Sequence, residues 1–344
     1  MNNLQRGHIY FLVMRDPRNA EHDFGLVKVG ITEGDVLQRA AALQTGNPYD
    51  LLCFDSFETP WPREVEHFMH RTHAKEMLKA EWLRWSRDDL PNLVDEAKKE
   101  ARRIEDRKSK EQAYTALASN GQVRRATPHE FDLHREARKL LKDLVPAKLG
   151  LKTAENRIHE ATGATLGIPG IVRVKYIPAA SRFDEGLAES KFPLLASQCR
   201  VEQIHGGFRW RGVPKESDFA DKYQEARSAE ELAEASSRNV LQNSVGLQGW
   251  TDRTPELERW HDDFLQALPK VHRLNRDLAD LRTELILGIG DCDALDPVCS
   301  FIRRSVPKID RSAFQGSFPE ESKQCEVPVA PRLRKHVYPA RAYL

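Results

Sequence analysis

A 28-residue stretch in the middle of the chain recurs near its end without a gap. Residues 172–199 and 298–325 align at an offset of 126. Val172, Asp184, Phe192, Pro193, Gln198 and Cys199 return as Val298, Asp310, Phe318, Pro319, Gln324 and Cys325. Six identities exceed the roughly two that composition would give, and the kept spacing implies one supersecondary unit used twice. Each copy follows a helix-patterned stretch, over 130–162 and 255–287. Each copy therefore reads as a helical hairpin, a strand, a short helix opened by Asp184 or Asp310, and a Phe-Pro turn. A further helix is expected between them, over 218–239.

The N-terminal part has a different rhythm. Residues 8–14 and 26–31 are apolar, β-prone runs separated by a turn-rich connection. Asp35 is placed to cap a helix reaching Leu43, with Val36, Ala40 and Leu43 on one face. Residues 50–58 alternate as a third strand would, and 62–78 read as a helix opened by Pro62 with Val65, Phe68 and Met69 inward. A short segment follows at 81–85, giving the order β-β-α-β-α. The expected fold class is α+β: a small domain over 1–95, a charged helical linker over 96–128, a first repeat over 129–215, a connecting helix over 216–253, and a second repeat with a basic tail over 254–344. The run 95–112 is almost wholly charged and reads as a solvated helix, with a basic arm touching phosphates as the alternative.

Composition excludes several classes. Across 344 residues, 53 basic side chains meet 52 acidic ones. No global basic field advertises nucleic acid, so any such site must be a local patch. No run approaches the roughly 18 apolar residues of a membrane span, and the N-terminus lacks a small-residue cleavage site. The five cysteines are scattered, without zinc-site spacing, which fits a reducing cytoplasm. GIGDCD at 288–293 lacks the Gly-Lys-Ser/Thr of a phosphate loop.

An ordered set of short motifs runs through residues 7–95: His8-Ile9-Tyr10, Lys28-Val29-Gly30-Ile31-Thr32, Arg39, LQTGNP at 43–48, Glu66 four residues before His70, and Glu81-Trp82. The set resembles the GIY-YIG nuclease superfamily, in the phage and bacterial branch whose second motif reads KxGIT and whose end reads EWF. The resemblance implies Mg2+- or Mn2+-dependent endonucleolytic hydrolysis of DNA. It places Glu66 as the metal ligand, Tyr10 as the group that positions or activates water, and Arg39 on the scissile phosphate. Lys28, at the position of a tyrosine in other branches, would hold phosphate, and His70, one turn from Glu66, would shuttle a proton. These residue types suit the chemistry. A magnesium site takes few carboxylates, and guanidinium donors clamp a phosphate whose charge grows in the transition state. Gly30 is expected to allow close backbone approach, and Glu81-Trp82 reads as a structural lock. His8, His73 and Leu83 depart from the family pattern. They keep open two alternatives: a catalytically degenerate DNA- or protein-binding adaptor, and a nuclease subunit activated by partners. A place in phage biology, restriction or anti-phage defence follows from the resemblance by analogy.

The C-terminal repeats loosely resemble the accessory region of YqaJ-type phage exonucleases, which implies positioning on DNA, on a protein partner or on a second copy of the chain, and no catalysis. GGFRWRG at 206–212 is the basic-aromatic run there. Arg209, Trp210 and Arg211 would contact phosphates and stack on a base, with an ordinary edge strand as the alternative. The tail 332–344 reads as a loose end or a docking strand.

Overall fold

The computed structural model describes residues 6–45, 47–78, 81–115, 119–243 and 246–338, and its fold is α+β. The N-terminal sheet has the order β3-β1-β2-β4, from β1 (Gly7–Asp16), β2 (Asn19–Thr32), β3 (Asp50–Thr59) and β4 (Trp82–Arg84). Three helices accompany it: α1 (Val36–Gln44), α2 (Pro62–Thr72) and α3 (Leu90–Thr115). The run at 8–14 is continuously apolar because β1 is covered on both faces. Ile9 and Phe11 meet Val65, Phe68, Met69 and Leu93, whereas Tyr10 and Leu12 meet Val36 and Ala40 of α1. Asp35 caps α1 by accepting from the Gln38 amide at 2.8 Å.

Three expectations change here. The β1–β2 connection is a tight turn at 17–18, because β2 extends back to Asn19 through register slips around Arg15. Helix α2 stops at Thr72, and Met77 bridges to Leu83. Met77 is a core residue of a turn, and its apolar spacing mimics another helical turn. The charged segment is not a solvated linker, and the boundary at 95 falls inside α3. Leu90, Leu93, Val94, Ala97, Ala101 and Ile104 form a helical stripe buried in the N-terminal core.

The remainder contains β5 (Val123–Arg125), α4 (Pro128–Thr162), β6 (Gly167–Ile168), β7 (Val172–Ile177), β8 (Ala180–Phe183), α5 (Glu185–Lys191), α6 (Pro193–Gln198) and β9 (Arg200–Trp210). After a 3-10 turn at Glu216–Phe219 come α7 (Ala220–Gln242), α8 (Pro255–Ile289), β10 (Ala294–Asp296), β11 (Cys299–Ile309), α9 (Arg311–Ser317), α10 (Pro319–Gln324), β12 (Glu326–Val329) and β13 (Arg332–Val337). In place of two helical hairpins stand two single helices, α4 and α8, of 35 residues each. Both start at a Thr cap followed by Pro, both contain an internal proline (Pro146, Pro269), and both end at a glycine with φ near 55–58°. The caps and the terminal glycines lie one residue further apart than the sequence repeat, and the internal prolines three residues closer. The two helices pack along each other, and α7 packs on α4.

The strands are exchanged. β7 and β8 pair with β13 and β12, and β9 pairs with β11. The second strand after each long helix, β7 or β11, thus joins the last strand of the other half. At the far end the Asp184 amide donates to the Cys325 carbonyl and the Asp310 amide to the Cys199 carbonyl, both at 2.8 Å. Asp184 and Asp310 cap α5 and α9. Phe183, Cys199, Ile309, Phe314 and Cys325 form the small core between the short helices.

Helix α3 ties the two parts together. Arg103 pairs with Asp277 at 3.1 Å and with Asp280, Arg276 with Glu100 at 3.7 Å, and Arg282 with Glu111 at 2.7 Å. The charges that suggested a solvated helix are in large part the complement of α8.

Candidate active site

Tyr10 stands opposite Gly30 in the β1–β2 ladder and is 1% exposed. Its ring lies across the glycine: a Cβ added at Gly30 would sit 2.5 Å from the Tyr10 Oη and 2.7 Å from Cζ. Gly30 is therefore needed for room. The Arg39 guanidinium, delivered by α1, lies close enough to the Tyr10 phenol to act on its pKa. Burial raises the Tyr10 pKa, and this outweighs the opposing effect of Arg39. At neutral pH Tyr10 is a protonated phenol that can orient water or phosphate.

Two residues along β2, on the same face as Gly30, Lys28 is 7% exposed and forms an ion pair with Glu81. Glu81 enters from the segment before β4. Its φ is +74°, the one positive value among described non-glycine residues. Such a conformation costs about 1–3 kcal/mol. The segment is held by the Val29 amide donating to the Glu81 carbonyl at 3.2 Å.

Glu66, on α2, feels the charges of Glu81 and Lys28. Burial first, and the Glu81 carboxylate second, push its pKa up to about 7, with Lys28 opposing. His70 lies one turn on and donates from Nε2 to the Val29 carbonyl at 2.9 Å, since a carbonyl only accepts. Burial lowers its pKa, so it is neutral at pH 7 with Nδ1 as its acceptor.

Tyr10, Lys28, Arg39, Glu66 and His70 thus come within electrostatic reach of one another, held by the central strands β1 and β2 and by α1 and α2. Glu81 joins them. The sequence reading placed it in a structural lock, yet its carboxylate belongs to the cluster. The signal was an acidic residue just ahead of a strand, and nothing local said which strand it would reach.

No family model, no curated protein and no solved structure matches this chain. The chemistry of the site is therefore judged on its own residues. Among the described residues no three His, Cys, Asp or Glu side chains gather as a metal cage. Glu66 and Glu81 are the two carboxylates here that could take a divalent ion keeping most of its waters. Their mutual repulsion and the raised Glu66 pKa are what a nearby cation would relieve.

Two of the departures from the motif pattern, His73 and Leu83, lie in packing. Leu83 is fully buried. His73 is buried, meets Glu96 at 3.0 Å and stands edge-on to Trp85. The basic-aromatic run is only partly a surface. Trp210 is half-buried among Phe208 and His134, and Arg211 pairs with Asp296 at 3.2 Å, while Arg209 is exposed. Trp210 and Arg211 are thus committed to packing and pairing. The strand reading of the tail holds for Arg332–Val337, which pair with β7; residues 339–344 lie outside the described residues.

Proposed function

We propose that the N-terminal unit is a GIY-YIG-like endonuclease domain that hydrolyses phosphodiester bonds of DNA with Mg2+ or Mn2+. The single observation that carries this reading is the convergence of Tyr10, Lys28, Arg39, Glu66, His70 and Glu81 from five separate elements. Glu66, with Glu81 beside it, would hold the cation, which supplies charge neutralisation on the phosphate. Arg39 holds a phosphate oxygen with fixed-geometry donors and at the same time orients Tyr10. Tyr10, as a phenol, positions the attacking water. With Glu81 engaged by the cation, Lys28 would hold a phosphate oxygen. His70 Nδ1 accepts a proton. The larger C-terminal part, read as a duplicated and strand-exchanged unit, positions the domain on its target. A role against phage or other invading DNA in the cytoplasm follows by analogy.

The test is cleavage of single-stranded, duplex and branched DNA in Mg2+. Glu66→Gln and Arg39→Ala are each expected to lower the rate by about 10²-fold or more. Cleavage that both variants leave intact ends the proposal.

One observation favours the degenerate adaptor instead: Lys28 and Glu81 satisfy each other without a ligand. An adaptor would show no Mg2+-dependent rise in melting temperature that Glu66→Gln removes. A chain inert alone and active with a partner would be the subunit of a larger complex.

A further inference from the structure

The chain is nearly neutral, but its exchanged ribbons are not. Residues 172–183, 200–210, 299–309 and 326–337 hold eleven Lys and Arg against two Glu, a net charge of +9 on a chain whose total is +1. Three of these cations are committed: Arg200 to Glu189, buried Arg303 to Asp293, and Lys335 to the His159 carbonyl. The other eight are exposed and, among the described residues, take part in no ion pair.

Register puts seven of the eight on one face of each of two ribbons. In the β7–β13 pair, Arg173 stands opposite His336, Lys175 opposite Arg334 and Ile177 opposite Arg332. The alternate residues Val172, Val174 and Val337 are buried, so these six side chains share the outward face. In the β9–β11 pair, Arg304 opposite His205, Lys308 opposite Val201 and Arg209 opposite Ser300 share a face, and Glu202 falls on the other. Neither basic face carries a carboxylate, Phe, Tyr or Trp. Like charges directly opposed across strands weaken a ribbon, and among the described residues no ion pair offsets Lys175 against Arg334. Rows of cations about 6.6 Å apart along a strand suit a polyanion. Six of the eight are arginines, which fork onto phosphate. A two-stranded ribbon fits a duplex groove. Without aromatics the faces offer single-stranded bases little to stack on, and Val201, Ile302 and Val306, exposed on the β9–β11 face, come without the aromatic anchors of a membrane-surface site.

We propose that the outward faces of the two ribbons bind the phosphate backbone of duplex DNA. The ligand is the one named for the N-terminal site, but the evidence is independent of that site, and so is the test. Full-length protein carrying Glu66→Gln is titrated onto a fluorescent duplex of a few helical turns, by anisotropy at several NaCl concentrations. Neutralising Arg173, Lys175, Arg332 and Arg334 to Gln is expected to weaken binding at least about tenfold and to lower the slope of log K against log salt by about 3–4. The pair Lys175→Gln and Arg334→Gln alone should remove about half of that slope. Neither variant should melt below its parent, because opposed like charges are being removed. A charge-matched variant at Arg138, Lys139, Lys142 and Lys222 should bind within about twofold of its parent. Equal loss in both sets, an unchanged slope in the ribbon set, or tighter binding to single strands or anionic vesicles than to duplex overturns the proposal. Absence of cleavage would count against the N-terminal reading alone.

Discussion

The Lys28 ammonium is closed by the Glu81 carboxylate, which reaches it from a backbone in the left-handed region. The pair joins β2 to the segment before β4 and brings a second carboxylate beside Glu66. Lys28 is nearly buried and Glu81 half-exposed, so losing the carboxylate leaves a cation in a poorly solvated place. Glu81→Gln should lower stability by about 1–2 kcal/mol in urea unfolding. In a Lys28→Met background the same change should have little effect, giving a coupling near 1 kcal/mol. Additive effects would show that the pair is incidental.

Gly30→Ala tests the approach of Tyr10. An added Cβ meets the Tyr10 ring at 2.5–2.9 Å, so ring or strand must shift. Overpacking of this kind costs about 1–3 kcal/mol. With Tyr10→Leu in place, the additional cost of Ala should fall below about 0.5 kcal/mol. An equal penalty in both backgrounds would place the strain elsewhere.

The raised pKa of Glu66 fixes a sign for pH dependence. Between the ordinary carboxylate value of 4.5 and the folded value of about 7, the native state keeps a proton that the unfolded chain releases. Its contribution to stability therefore declines as pH rises through that window and stays low above it. Glu66→Gln should be more stable than the parent at about pH 8, by on the order of 1 kcal/mol after solvent screening, and equal to it near pH 4. The depressed pKa of His70 acts oppositely below its ordinary 6.5, so the difference between Glu66→Gln and parent is the measurement that isolates the carboxylate. A gap that widens toward acid would reverse the assignment.

Helix α3 is held to α8 by Arg103, with Asp277 and Asp280 as its partners. Arg103→Ala removes a bidentate, half-buried contact and should cost about 1–2 kcal/mol. Limited proteolysis should then cut earlier in the 104–128 region. An unchanged digestion pattern would mean that the apolar stripe of α3 alone fixes the helix.

The cysteines give a reactivity order. Burial pushes the Cys299 thiol up to about 12 and also raises Cys325, whereas Cys292 is half-buried. A thiol reagent should label Cys292 well before Cys299 in the folded protein, and all five together in urea. Early labelling of Cys299 would contradict its place in the core at the start of β11.

The sequence by itself determined the local parts. Apolar runs, Asp caps, Thr-Pro helix starts and the 28-residue repeat are fixed by neighbours a few residues away, and strands, helices and Asp-capped turns appeared where those signals stood. The motif set also gave chemical roles to five of the six residues grouped in the candidate site, because their types and spacing suit one chemistry, and read the sixth, Glu81, as a structural lock. Tertiary structure decided the rest, because composition averages over faces and spacing carries no information about partners. The stripe Leu90 to Ile104 was hidden in a charged segment whose charges were waiting for α8. Trp210 was a plausible stacking platform until β9 laid it against α4. The paired repeats read as two hairpins until the long helices packed and their strands crossed over, since no local signal says that Lys175 will face Arg334 from the other half of the chain. Glu81 is the same case within the site: its type was legible, but only the β2–β4 pairing and one left-handed backbone residue aim its carboxylate at Lys28.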